Sequence, residues 1–289
     1  MKVLFRSIPL VLFLPFFGVS AGPALDTDFY KTVSNWYDLT LTAQVNEPLP
    51  RIIFNEDDPD FGKTNTATNK SRSDLLARKK AKEKLRIRLS QSLEGLFFDA
   101  NYTVFEYSQI NKTVRSRINA FISEEKEIFD FQPNKNQLIS KASIKLIGKQ
   151  GFLAYLPMEY ASEQIPIFTE EVLPVEFSGL VVDARHLKIK KALFPKIQSD
   201  RGLDVYSPLY VKEGYAIETG YVAYRDDEDP KNWEKRAGKN PFFIVALGVS
   251  GKNQTDLILP ADEVAKFLSH PETRKNLMRC RVLVLVSKQ

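Results

Sequence analysis

The chain has 289 residues, with 41 Lys and Arg against 36 Asp and Glu for a formal net charge of +5. Its single cysteine, Cys280, excludes an internal disulfide, so the fold must be held by apolar cores, and a chain of this length can bury one or two of them. The basic excess is modest. It suits an anionic surface or an acidic partner better than nucleic acid, which export (below) argues against.

Met1, Lys2 and Arg6 give a cationic start, residues 8–17 form an apolar core interrupted only by proline, and Val19-Ser20-Ala21 fits a small-residue cleavage site. Residues 1–21 are therefore read as a secretory signal peptide, which places the protein in the periplasm. The apolar stretch is shorter than the ~20 residues that span a bilayer, and no later stretch approaches that length. No transmembrane segment is expected in the mature chain. Asn69, Asn101, Asn111 and Asn253 head glycosylation-type triplets, which are discounted because a bacterial source is expected.

Residues 22–70 carry Pro48, Pro50, the acidic run 56–60 and a polar stretch, and read as an extended arm whose aromatics dock on a domain. The acidic run lacks the ligand spacing of a calcium loop. A first helix begins near Ser71, where Ser71 and Asp74 have capping-box form. Ala77, Ala81, Leu85, Leu89, Leu93 and Leu96 mark its apolar face, and Arg78, Lys79, Lys80, Lys82, Lys84, Arg86 and Arg88 its cationic one. Such a face is either simply solvated or a contact for an acidic partner. Lys79, Lys80 and Lys82 are the candidate contact residues.

A second helix is expected over 113–129, and Phe97, Phe98, Tyr102, Phe105 and Tyr107 cluster between the two. Glu124, Glu125 and Glu127 read as a solvated face rather than a glycosidase pair. Residues 141–147 alternate, 148–151 turn, and 152–156 read as the second strand of a hairpin. These elements make a helix-helix-hairpin domain over 71–174. Residues 175–289 then form an α/β domain, with strands at 203–206, 221–224, 242–249, 257–259 and 281–286 and a helix at 260–268. The fold class is α+β, two small domains with helices packed on antiparallel or mixed sheets.

The C-terminal domain is entered through Ser178-Gly179-Leu180-Val181-Val182-Asp183-Ala184-Arg185, an apolar run ending in charge. Ser178 and Gly179 read as a turn. Strand alternation sets Leu180, Val182 and Ala184 against Val181, Asp183 and Arg185, so Asp183 and Arg185 can pair. The pair is either a structural clamp at a strand end or a partner contact. No hydrolase elbow, zinc-site, phosphate-loop or dinucleotide motif is present. His186, with no nucleophile or orienting residue beside it, is a poor general base. No catalytic, cofactor or metal residue is assigned, and a non-enzymatic role is expected.

The Ala-rich cationic helix, the second helix and the strand pair at 142–156 resemble the exported bacterial family of flagellar assembly protein T and the small antigenic lipoproteins. The segments at 177–185, 192–195, 238–241 and 280–282 resemble the carboxy-terminal parts of related exported proteins. Unlike the lipoproteins, the chain has no lipid-bearing cysteine near its cleavage site. The resemblance implies a periplasmic structural protein without catalytic residues, such as a spirochaete flagellar sheath component of the flagellar coiling kind. Other filament or sheath proteins would be its partners. The alternative is an exported binding module whose cationic helix holds an acidic polymer, membrane surface or host ligand.

Overall fold

A computed structural model describes residues 30–51, 57, 63, 65–124, 128–134, 136–156, 158–167, 174–227 and 229–288. The signal peptide, Glu125, Glu127 and most of the acidic run lie outside them. The first half builds one antiparallel sheet, with helices packed on one face. Its strands are β1 (Tyr30–Asn35), β2 (Thr40–Pro48), β3 (Ile128–Asn134) and β4 (Gln137–Lys145), in the order β1-β2-β4-β3. Residues 30–48 are thus not the extended arm that their prolines and acids suggest. Leu41, Ala43 and Val45 alternate inward along β2, as Leu138, Ala142 and Ile144 do along β4. Burying that face fixes the register.

Helix α1 (Ala67–Glu94) crosses β2 and β4 and lays Ala77, Ala81, Leu85, Leu89 and Leu93 against them, each no more than 2% exposed. It starts earlier than the sequence suggests. The cap is Thr66, whose hydroxyl accepts the Asn69 amide at 3.2 Å, while Ser73 turns inward to donate to the Pro50 carbonyl at 2.7 Å. The helix expected over 113–129 is α3 (Lys112–Ser123), which ends earlier, and a further helix that the sequence did not suggest, α2 (Val104–Ile110), precedes it. Thr103 and Glu106 form a capping box that starts α2, and Asn111 caps α3, while Phe129 belongs to β3. The expected hairpin partner of β4 also differs. Both edges of β4 are taken by β2 and β3, and Phe152–Tyr155 winds into a 3₁₀ turn.

The second half contains two four-stranded sheets. One is entirely parallel: β5 (Leu180–Asp183), β8 (Ala223–Arg225), β9 (Phe242–Val245) and β12 (Val282–Leu285), in the order β8-β12-β5-β9. The other is mixed: β6 (Ile197–Ser199), β7 (Asp204–Tyr206), β10 (Gly248–Ser250) and β11 (Asp256–Leu259), in the order β10-β11-β6-β7. Helices α4 (Glu213–Thr219), α5 (Pro230–Ala237), α6 (Ala261–Leu268) and α7 (Pro271–Met278) complete it. The apolar run at 242–249 is not one strand. The Ala246 amide bonds to the Asp183 carbonyl and the Leu247 amide to the Ile258 carbonyl, so the chain changes sheets between adjacent residues.

Alternation in β5 serves two cores, as both faces of a parallel sheet require. Leu180, Val182 and Ala184 join the large core, whereas Val181 packs with Leu283, Leu285 and Ala237 in a small one under α5. The large core is continuous with that of the first half. Main-chain bonds sew the halves together: Leu193 and Phe194 amides donate to the Phe97 and Phe98 carbonyls at 2.9 Å, and the Asn253 amide to Ala100 at 2.8 Å. Phe98 stacks on Tyr107 at 4.1 Å and meets Phe194 at 5.2 Å, so the aromatic cluster expected between helices lies at this seam. The fold is α+β, with a second domain from residue 179.

Candidate functional site

The cationic side of α1 is partly occupied by its own sheet. The Arg78 guanidinium lies 5.0 Å from the Phe131 ring and pairs with Asp74 at 2.7 Å, while Lys82 and Arg86 lie 5.2 and 5.8 Å from the Phe129 ring. Lys84 pairs with the buried Glu47 at 2.6 Å. Cations over aromatic faces gain roughly 0.5–1 kcal/mol at exposed sites. Lys79 and Lys80 are exposed and form no ion pair among the described residues. Of the three candidate lysines, then, Lys82 has an aromatic neighbour and two project freely.

Asp183 and Arg185 meet at the carboxyl end of β5. The Arg185 Nε and Nη2 donate to the two Asp183 oxygens at 2.9 and 2.7 Å, and the Arg185 amide adds a third bond at 3.1 Å. These donors hold the carboxyl below its ordinary range. Asp183 stands opposite Val245 of β9 in register, and Val181 opposite Phe243. Opposed residues share a face. The pair therefore borders Phe243 and Val245, 46% and 50% exposed, and Leu247, 56% exposed, follows just past the end of β9. Trp233 of α5 stacks at 6.1 Å on Phe243, but α5 leaves most of this side of β9 open. This strip, with Asp183 and Arg185 beside it, is the candidate contact surface. The sequence marks the charged pair, and it misses the strip because exposure of a strand's outer face depends on which edge it occupies.

Neither histidine is placed for proton transfer. His186 is exposed, with no hydrogen-bonding partner among the described residues, and His270 Nδ1 accepts the Glu272 amide at 3.2 Å to cap α7. Among the described residues no group of three His, Cys, Asp or Glu could hold a metal ion. Cys280 is buried with its thiol pushed up to about 11, chiefly by desolvation. Burial thus disfavours its thiolate form.

The carboxyl under most tension is Asp256, in a cleft of about 590 Å³ at the seam between the halves, near Asp99, Glu159 and Lys196. Desolvation pushes it up to about 6, against the Lys196 amide, which donates to it at 2.8 Å. Because the folded pKa exceeds the ordinary carboxyl value, this group favours folding at low pH, and that contribution is lost as pH rises toward about 6. Asp256→Asn keeps an oxygen for the Lys196 amide. It should raise stability at pH 7.5 by about 1–2 kcal/mol and flatten the pH dependence between about 4 and 6, as read by urea melts across pH.

A second cleft, of about 530 Å³, runs along the open edge of β8 and gathers Arg225, Lys235, Arg236, Arg279 and Arg281. These residues come from β8, α5 and the segment before β12. Nothing in their spacing announces the cluster. Among the described residues no helix is long and apolar enough to cross a membrane. No curated protein matches the chain. The parallel and mixed sheets of the second half, with the clamp, the strip and the five cationic residues of the cleft, lie in the region where the chain is similar to a spirochaete protein, residues 179–288 matching the family model of Treponema pallidum Tp0624, second domain.

Proposed function

We propose that this chain is an exported, non-enzymatic structural protein of a spirochaete-type periplasm, a component of the flagellar filament sheath needed for motility. The observation that carries the reading is the exposed strip made by Phe243 and Val245 of β9, at the rim of the parallel sheet, and by Leu247 just past the strand's end, bordered by the Asp183–Arg185 clamp. Parallel sheets normally have both faces covered, and an apolar edge left open suits lateral docking on a neighbouring protein. The signal-type amino terminus supports export. Similarity of residues 179–288 to a Treponema pallidum domain supports the spirochaete setting, and the filament assignment rests on the strip.

Washed periplasmic filaments should carry the protein, and a deletion strain should swim poorly. Val245→Asp with Leu247→Asp should leave export and folding intact but remove the protein from the filament fraction. Filaments free of the wild-type protein, with normal swimming after deletion, overturn the reading. The second reading, an acidic-polymer binder, is favoured by the unpaired Lys79 and Lys80. Salt-sensitive polymer binding that Lys79→Glu and Lys80→Glu abolish would select it.

A further inference from the structure

We propose that the cleft along the β8 edge binds a small organic polyanion bearing two or three carboxylate or phosphate charges. Its walls are the turn between β1 and β2, α4, α5 and the residues leading into β12. About 530 Å³ is ordinary size for a small-ligand site. Five cationic side chains line it against two carboxylates, Asp38 and Glu218, and Asp227 just outside pairs with Arg225, which leaves an excess of two positive charges within one ligand-sized space.

Beyond Asp227, no ion pair among the described residues neutralises this excess. Arg236 is held rigidly by backbone oxygens alone, donating to the carbonyls of Val282, Thr219, Gly220 and Tyr221 at 3.1, 2.6, 2.7 and 3.0 Å. Carbonyls fix its orientation and leave its charge. Arg225 does pair with Asp227 at 3.2 Å, and it lies over the Tyr37 ring at 3.0 Å. Lys235 and Arg279 are exposed and in no ion pair among the described residues. Among the described residues the Arg281 side chain donates only to the Ser178 carbonyl, at 3.4 Å.

Like charges brought this close repel, and low-dielectric walls focus their field outward onto whatever enters. Guanidinium groups match carboxylate and phosphate oxygens in shape as well as charge. A monoanion would leave half of the excess standing, whereas a di- or trianion offsets all of it. Leu39, Ile147 and Ala223 supply an apolar wall for a carbon skeleton. The cleft is independent of the β9 strip, at the opposite edge of the same sheet.

Calorimetric titration of the exported chain at about 50 mM salt with citrate, with pyrophosphate and with uncharged glycerol tests the assignment. At least one anion should bind at one site with a Kd of about 100 μM or tighter, and glycerol should not bind. Citrate alone identifies a polycarboxylate site, pyrophosphate alone a phosphate-ester site, and both an oxyanion site that reads charge. Lys235→Glu with Arg279→Glu, both at exposed positions, should weaken binding at least tenfold while leaving the melting curve unchanged. Should that variant lose its melting transition, Lys235→Ala with Arg279→Ala takes its place, with a loss of at least threefold expected. Failure of both anions to bind, or unchanged binding in the folded variant, overturns the proposal.

Discussion

Gly179→Ala should destabilise the protein by about 3 kcal/mol or more in urea melts. A Cβ there would lie 2.5 Å from the Ala237 carbonyl oxygen and 2.6 Å from that of Arg281. Neither can yield easily. Ala237 ends α5, with Ser178 Oγ donating to that same carbonyl at 2.7 Å, and the Arg281 carbonyl accepts the Leu180 amide at 2.9 Å to begin the β5–β12 ladder. The glycine is thus required for close backbone approach and not for the turn its sequence context suggests. Gly214→Ala is the internal control. It lies in α4 with nothing within 4 Å of an added Cβ, so it should be neutral or stabilise by up to about 1 kcal/mol.

The second large effect is expected in α1. Leu85→Ala removes a side chain that is 0% exposed, midway along the helix face that covers β2 and β4, and should cost about 3–4 kcal/mol. On the opposite side, Lys79→Glu and Lys80→Glu should change stability by no more than about 0.5 kcal/mol each. Equilibrium denaturation of the three variants separates core from surface on one helix. A comparable loss at Lys80 would mean that the cationic side holds the fold.

Much of this architecture was legible in local periodicity. The four-residue spacing from Ala77 to Leu93 marks the buried side of α1 because helical geometry alone returns those positions to one face. Two-residue alternation likewise sets Val181 and Asp183 on one side of β5, although the strand ends at Asp183 and Arg185 reaches that carboxyl from the turn that follows. Errors arose where composition displaced periodicity. Leu41, Ala43 and Val45 alternate as plainly as any strand here, yet Pro48, Pro50 and the acids beyond them suggested an arm. Apolar runs also hide changes of partner, so 242–249 reads as one strand although two sheets divide it.

The clefts were less legible than the elements. Arg236 finds its partners at positions 219–221 and 282, all of them backbone carbonyls, which leave no residue-type signature. Arg279 and Arg281 flank a buried cysteine and read as the margin of a strand. Exposure of Phe243 and Val245 depends on the strand order β8-β12-β5-β9, which places β9 at the rim. Sheet order is a long-range property, and a single sequence carries little of it.

The stitching at residues 97–100 has a consequence for how the molecule comes apart. Because Phe97, Phe98 and Ala100 supply carbonyls to Leu193, Phe194 and Asn253, and Phe98 packs on Phe194, the region similar to the Tp0624 domain borrows part of its finish from the preceding half. Cutting the chain at residue 179 would strip Phe194 of its cover and orphan three amides. A tensile load applied to either half passes through that seam. A protein yoked this way should yield to heat or force in a single cooperative event, transmitting strain along its length instead of hinging in the middle.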